Sequence, residues 1–269
     1  MREELTALVI TWNEAPNIGR TLDRLRWVPK VLVVDSGSDD GTLEILAGFP
    51  NVEVVHRPFD TFAEQCNFGL ERVRTEWVLS IDADYVLSDD LAQEIQDLAP
   101  PPHVAGYRVH FIFCVHGRPL RGSLYPPRTV LYRRKLGRYR NEGHGHRLVI
   151  DGEVRDLRGK CLHDDRKPLS RWLRSQQRYA RDEARFLLTS SGHELGWIDR
   201  LRRLGWPLVI AVPFYVLVWR RCILDGLPGW HYALQRLLAE GIIALEIAER
   251  KLTESGRNHF EPKSHEHNN

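Results

Sequence analysis

Asp82 and Asp84 stand one residue apart, directly after the apolar run Trp77-Val-Leu-Ser-Ile81. Two carboxylates at a strand end suit a hard divalent cation, which prefers oxygen ligands. A cation held there acts as a Lewis acid on a departing phosphate. A D-x-D pair by itself matches many chains by chance and also describes an acidic turn that caps a helix. Two companion clusters give it weight. The stretch Val33-Val-Asp35-Ser36-Gly-Ser-Asp-Asp-Gly-Thr42 sets a carboxylate where a base N–H or a ribose hydroxyl can donate to it. Its Ser/Asp/Gly turn also caps the helix that follows. The third cluster is Thr11-Trp12-Asn13-Glu14.

These clusters need elements that bring them together. In the first hundred residues, short apolar runs alternate with helical patterns: strands over 5–10, 31–35, 52–55 and 77–81, helices over 17–25, 42–48, 62–73 and 89–98. Strands alternating with helices imply βαβ units and a mainly parallel, buried sheet. In such a sheet, ligands bind beyond the carboxyl ends of the strands. All three polar clusters follow strands, so all three open on that one edge. Pro100-Pro101-Pro102 punctuates the chain after this half. Beyond it, strands are expected over 105–113, 129–133 and 148–150, and a basic helix over 168–188.

With those motifs in order, the sequence resembles the inverting family-2 glycosyltransferases of the GT-A fold. More narrowly, it looks like the lipopolysaccharide-core β-1,4-glucosyltransferase type, in which Phe62-Ala-Glu-Gln65-Cys-Asn67-Phe-Gly-Leu70 matches the helix before D-x-D. The resemblance covers residues 5–98 most closely. It implies that Thr11, Asn13, Glu14, Asp35, Ser36, Gln65 and Asn67 bind a nucleotide sugar, with a UDP-sugar as the default. It implies that Asp82 meets ribose or the metal, and that Asp84 and His163 hold Mg²⁺ or Mn²⁺. His163 lies in Cys161-Leu-His163-Asp164-Asp165-Arg166, where such enzymes place a late metal- or diphosphate-contacting histidine. Two features depart from the narrower pattern. Tyr85 stands where an acidic residue usually follows D-x-D, and Asn141-Glu142-Gly-His144-Gly-His146 replaces a His-Glu pair. Inversion needs one general base near the acceptor hydroxyl, opposite the leaving diphosphate. Glu142, His144, His146 and Asp164 are the candidates.

The second half differs in charge. Residues 1–100 hold 8 Lys+Arg against 19 Asp+Glu, and the remainder 30 against 17. A basic half beside an acidic one suggests contact with anions such as phosphates or an anionic lipid surface. Residues 118–147 alone carry nine Lys+Arg and one acid. No nucleic-acid motif accompanies them, so phosphates of the donor or of a lipid-linked acceptor are the expected partners rather than nucleic acid.

Residues 204–219 carry no charge and are flanked by Arg200, Arg202 and Arg203 before and Arg220 and Arg221 after. The run is shorter than a spanning helix and contains Pro207 and Pro213. Tryptophans and arginines at its ends suit an element lying in a membrane interface. The four cysteines form no C-x-x-C pair, which fits a reducing compartment. Met1-Arg-Glu-Glu4 leads directly into a strand pattern without a leader.

The expected organisation is a GT-A domain over 1–190, with a nucleotide-sugar half (1–100) and an acceptor half (101–190). A helical membrane-associated segment over 191–252 and a disordered tail over 253–269 follow, the tail's His265 and His267 being solvated. The expected protein is a cytoplasmic enzyme, peripheral on the inner face of the membrane. It would use a metal to move a sugar onto a lipid-linked glycan or lipopolysaccharide-type acceptor. Two rivals stand beside that reading. A Rossmann oxidoreductase lacks its G-x-G-x-x-G after the first strand. A membrane-docked nucleotide-sugar-binding protein without a base differs only in failing to turn over.

Overall fold

The computed structural model describes residues 1–142, 145–193 and 195–260. The chain divides into two compact units: Met1–Leu169 with Val216–Tyr232, and Ser170–Tyr215 with the chain from Ala233 onward.

The first unit is built on strands β1 (Leu5–Thr11), β2 (Lys30–Asp35), β3 (Val52–His56) and β4 (Trp77–Asp82), within two residues of the expected bounds. They run parallel, with β1 between β2 and β4 and with β3 beyond β2. Strands β1, β2 and β4 are buried on both faces, which is why they read as unbroken apolar runs. Helices α1 (Ile18–Asp23), α2 (Thr42–Leu46) and α3 (Phe62–Arg72) form the crossovers. In α3, Ala63, Cys66, Gly69 and Leu70 are buried, at helical spacing. The Thr61 side chain caps it by accepting from the Glu64 N–H. Gly69 sets how closely α3 lies on the sheet, since a Cβ there would fall 2.4 Å from Leu8 Cδ1.

After β4 the pattern changes. A short β5 (Tyr85–Leu87) leads to α4 (Asp89–Asp97), then β6 (Val104–Val115), β7 (Arg118–Pro119), β8 (Arg128–Arg133), β9 (Gly137–Glu142), β10 (Gly145–Ile150) and β11 (Glu153–His163). The sheet order is β3-β2-β1-β4-β8-β6-β11-β5, with β7 paired to β6. Strand β8 joins antiparallel to both β4 and β6, so the sheet is parallel over its first four strands and mixed beyond. This is the α/β frame flanked by helices that a GT-A chain requires. Strands β9 and β10 form a separate hairpin, which touches α3.

Strand β11 was not foreseen. Its sequence, Glu-Val-Arg-Asp-Leu-Arg-Gly-Lys-Cys-Leu-His, is too charged to read as a buried strand, and it shows one buried side chain in two over only part of its length. The tertiary contacts hold it in place. Gly159 passes so close to α4 that a Cβ would lie 2.4 Å from the Leu91 Cα, and the Glu94 carboxylate accepts from the Arg158 and Gly159 N–H groups. Strand β11 brings His163 and Asp164 to the edge where β4 ends.

In the second unit, α5 (Leu169–Thr189) covers the expected basic helix and buries Ala180, Ala184 and Leu187. Leu187 and Ala184 pack with Leu195 and Ile247. Helices α6 (Trp197–Arg203) and α7 (Pro207–Phe214) follow, and α8 spans Leu227–Phe260, running on past the expected limit of 252. Arg202 ties the unit together, donating to both oxygens of Glu240 at 2.9 and 2.8 Å. Pro207 occupies the first turn of α7, Pro213 lies inside it, and a wider turn over Tyr215–Trp219 succeeds it. Among the described residues, no helix is long and apolar enough to cross a membrane. His265 and His267 lie outside the described residues.

Candidate active site

Register fixes the edge. Thr11 pairs with Asp35 across β1 and β2, and Ile10 pairs with Asp82 across β1 and β4, so the three motifs end level with one another. That is the carboxyl end of the parallel strands, where this class of sheet binds ligands.

On the β1–β2 side most polar groups already have partners. The Asp35 carboxylate accepts from the Gly37 and Ser38 N–H groups at 2.8 and 3.0 Å and from the Ser38 hydroxyl. Asn13 adopts a left-handed φ of 56°. Its N–H donates to Ser38 Oγ, and its side chain exchanges two hydrogen bonds with Asp39. Gln65 donates to Ser36 Oγ and to the Arg57 carbonyl, and accepts from the Arg57 guanidinium. Asn67 bonds to the β9–β10 hairpin. Its amide exchanges two 3.0 Å hydrogen bonds with the backbone of Tyr139 and so clasps α3 to β9. Asn13, Asp35 and Gln65 therefore shape the loops, and Thr11 is the exception. Its Oγ1 is buried and has no partner among the described residues.

Asp84 and His163 meet. Their Oδ2 and Nε2 atoms lie 3.2 Å apart, and both side chains are largely buried. Burial pushes the Asp84 carboxyl up, but His163 and Lys167 outweigh it and hold it down at about 2. The same contact raises His163 against the opposing effect of burial. His163 Nδ1 has no partner among the described residues. Glu14 bonds Lys167 at 2.6 Å and Asn17 at 2.8 Å. Burial pushes its carboxyl up to about 7 against the pull of Lys167, and the charge of Asp84 adds to the rise.

Asp164 is the expected candidate that the structure treats differently. Its Oδ2 accepts from Arg20 at 2.5 Å and from Arg166 at 2.9 Å, and its Oδ1 accepts from the Gly117 N–H at 2.9 Å. Both of its oxygens are thus engaged by groups of the protein itself. Arg20 also grips the Asp164 carbonyl, and the Asp164 N–H donates to the Asp84 carbonyl. Arg20 and Asn17 were not singled out from sequence, because nothing in their spacing signals partners almost 150 residues away.

Asp82 makes no hydrogen bond or ion pair among the described residues, although it acts electrostatically on His146, Tyr125 and Arg128. His146 packs its ring against Phe62 and Tyr139, at 5.7 and 5.3 Å between centroids. Burial holds its imidazole below the ordinary value, with Asp82 pulling the other way. The Glu142 backbone pairs with Gly145 at the end of the β9–β10 ladder. Its side chain, like His144, lies outside the described residues. Tyr85 is buried with its hydroxyl against that of Tyr125, and both rings pack on His163. Together they wall the edge beyond Asp84.

Comparison with known proteins adds the following. The model for glycosyl transferase family 2 matches residues 6–151. The chain is 33% identical over 175 residues to the lipopolysaccharide core biosynthesis glycosyltransferase LpsC of Rhizobium meliloti (strain 1021), covering 59% of this chain and 62% of that protein. It is 30% identical over 147 residues to an uncharacterized glycosyltransferase of Rickettsia bellii (strain RML369-C), covering 52% of this chain and 50% of that one. The chain thus spans about three fifths or less of the length of these curated relatives. Among solved structures it is similar to S. aureus TarS 1–349 in complex with UDP-GlcNAc, at 15% identity and a TM-score of 0.48, over 95% of this chain and 92% of that one.

Proposed function

This chain belongs to glycosyl transferase family 2, and from that premise we propose that it moves a hexosyl group, with inversion, from a nucleoside-diphosphate sugar to a hydroxyl of a lipid-linked glycan or lipopolysaccharide-type acceptor. The observation that carries the reading is the levelling of Thr11, Asp35 and Asp82 on one sheet edge, with Asp84 and His163 meeting beside it. In the reaction, the bond from the anomeric carbon to the diphosphate oxygen breaks. A bond forms from the opposite face to the acceptor oxygen, and the acceptor proton passes to a base. We assign that proton to His146, whose imidazole lies close enough to Asp82 to feel its charge. Glu142 is the alternative base.

The residues present fit Mg²⁺ or Mn²⁺. Two neighbouring ligands at ~2.1 Å from such a cation are roughly 3 Å apart, and Asp84 and His163 stand 3.2 Å apart. No group of three or more His, Cys, Asp or Glu among the described residues stands ready to hold a cation. Diphosphate oxygens and water would complete the shell, the usual arrangement where a cation serves a phosphate. When bound, the cation neutralises charge on the leaving diphosphate. Asp84 and His163 would hold it, Thr11 Oγ1 would take a donor hydroxyl or amide, and Asp164 would keep the β11 end in place.

A membrane surface is part of the proposal, on the inner face of the cell membrane. In the second unit, Trp206 and Phe214 are 69% and 68% exposed on and beside α7, with Trp197, Leu204 and Ile210 exposed nearby in the chain. Large exposed apolar side chains with arginines at Arg200 and Arg203 suit an anionic lipid interface.

The test is a panel of nucleotide sugars with Mn²⁺, followed by thermal unfolding of the wild type and Asp84→Ala. One donor should stabilise the wild type, by about 2.7 kcal/mol at 100 times its Kd, and the variant should lose that gain. Turnover with a supplied acceptor then separates a transferase from a binding protein. No protection by any donor would sink the reading.

A further inference from the structure

Arg128 is the group at this edge that the proposed mechanism leaves unused. It lies at the start of β8, and the antiparallel register that pairs Trp77 with Arg133 and Leu79 with Leu131, continued, brings it level with Asp82. It is half-buried, and its guanidinium lies over the Tyr125 ring at 5.1 Å from the centroid. Among the described residues its guanidinium makes no hydrogen bond and no ion pair, and nor does the Asp82 carboxylate.

A half-buried guanidinium with no side-chain partner keeps its N–H donors available to an oxyanion. Burial works against its charge, and the Asp82 carboxylate favours it. The cation is thus kept charged, oriented by an aromatic face, and unpaired. Its polar surroundings are Tyr85, Tyr125, Asp82 and Tyr139, with the imidazole of His146 within reach of its charge. None of these belongs to the 163–167 segment that carries the cation and diphosphate reading. Tyr139 and His146 come from the β9–β10 hairpin, on the acceptor half.

We propose that Arg128 binds an oxyanion carried by the acceptor, a phosphate or carboxylate on the sugar that receives the hexosyl group, and so selects acidic acceptors. The inference rests on the transferase reading above. A planar guanidinium offers two parallel donors to either anion, which a lysine does not. Asp82 beside it repels an anion that enters without the cation's help, so acceptor position and charge are read together.

The experiment uses the full chain with Mn²⁺ and UDP. Glucose 6-phosphate, glucuronate and glucose serve as acceptor probes, and their affinities are measured by calorimetry. The wild type should bind at least one acidic sugar ten or more times more tightly than glucose, and which one is preferred distinguishes phosphate from carboxylate. Arg128→Gln should lose that preference while its UDP affinity stays within threefold, and Arg128→Lys should keep part of it. Should Arg128→Gln not fold, Arg128→Lys carries the test through its reduced preference.

Equal binding of acidic and neutral sugars by the wild type overturns the inference. So does a tenfold loss of UDP affinity in Arg128→Gln with the sugar preference intact, which would assign Arg128 to the donor diphosphate. If the wild type itself binds no UDP, the transferase reading fails first and the inference falls with it.

Discussion

Asp82 and Asp84 are two residues apart in the chain and live in different surroundings. Asp84 is paired with His163 and held ionised, while Asp82 makes no direct bond to any described side chain and looks across at Arg128. Asp164, a third carboxylate, is engaged on both oxygens. Replacing it with Asn should therefore lower the free energy of unfolding, read from thermal melts, by about 2–4 kcal/mol for a broken, partly buried ion pair. Donor affinity should fall too, because Asp84 and His163 shift. The shape of the pH–rate profile should stay as it is, and a lost or displaced acidic limb would show that Asp164 is the base after all. Glu14 gives a pH prediction. Its folded value of about 7 lies above the unfolded value of 4.5, so the native protein binds more protons in that window. Stability from this group is full below pH 4.5 and falls as pH rises through 7. Between pH 5 and 7.5 the wild type should lose on the order of 1–3 kcal/mol more than Glu14→Gln. Parallel melting curves for the two proteins across that range would remove Glu14 as the cause.

Elements differ in how plainly the sequence writes them. Strands β1, β2 and β4 are buried on both faces, so their local composition alone marks them, and the turns after them carry the motif residues at fixed offsets. The short β5 and the charged β9 and β11 carry no such signal. They are strands because β11 finds β6 on one side and β5 on the other, and because β9 is clasped by Asn67. Asn67 shows the difference within one helix. Its position in α3 was readable, but its role depends on a backbone 72 residues further on. The close passage of β11 over α4 can be tested at Gly159. A methyl group there meets the backbone of Leu91, which a side-chain rotation does not relieve. Gly159→Ala should cost about 1–3 kcal/mol by overpacking and weaken metal-dependent donor binding, since β11 ends in His163. An unchanged melting temperature would mean that the strand has room to move away.

The whole chain is acidic in its first hundred residues and basic in the rest, and the two halves of the chemistry follow that division. The acidic half holds Asp35, Asp82 and Asp84, and the basic half supplies His163, Arg166, Lys167 and Arg128. The surplus positive charge, with exposed Trp206 and Phe214, predicts attachment to anionic membranes. The full chain should sediment with vesicles containing phosphatidylglycerol. That binding should weaken on adding 0.5 M salt, and by about tenfold or more in a Trp206→Ser, Phe214→Ser double variant. Equal retention of wild type and double variant would refute the role given to α7. The sequence by itself determined the parallel nucleotide-binding half and its three motifs, because hydrophobic period and turn chemistry are local and survive in one dimension. It also determined which residues were candidates to bind a metal or a proton. Only the tertiary structure decided which groups each of them meets. Arg20 reaches Asp164 across 144 residues, and the Asp82 charge acts on Arg128 across 46. Charge pairing depends on distances of a few ångströms between segments far apart in the chain, and spacing along the sequence does not encode those distances.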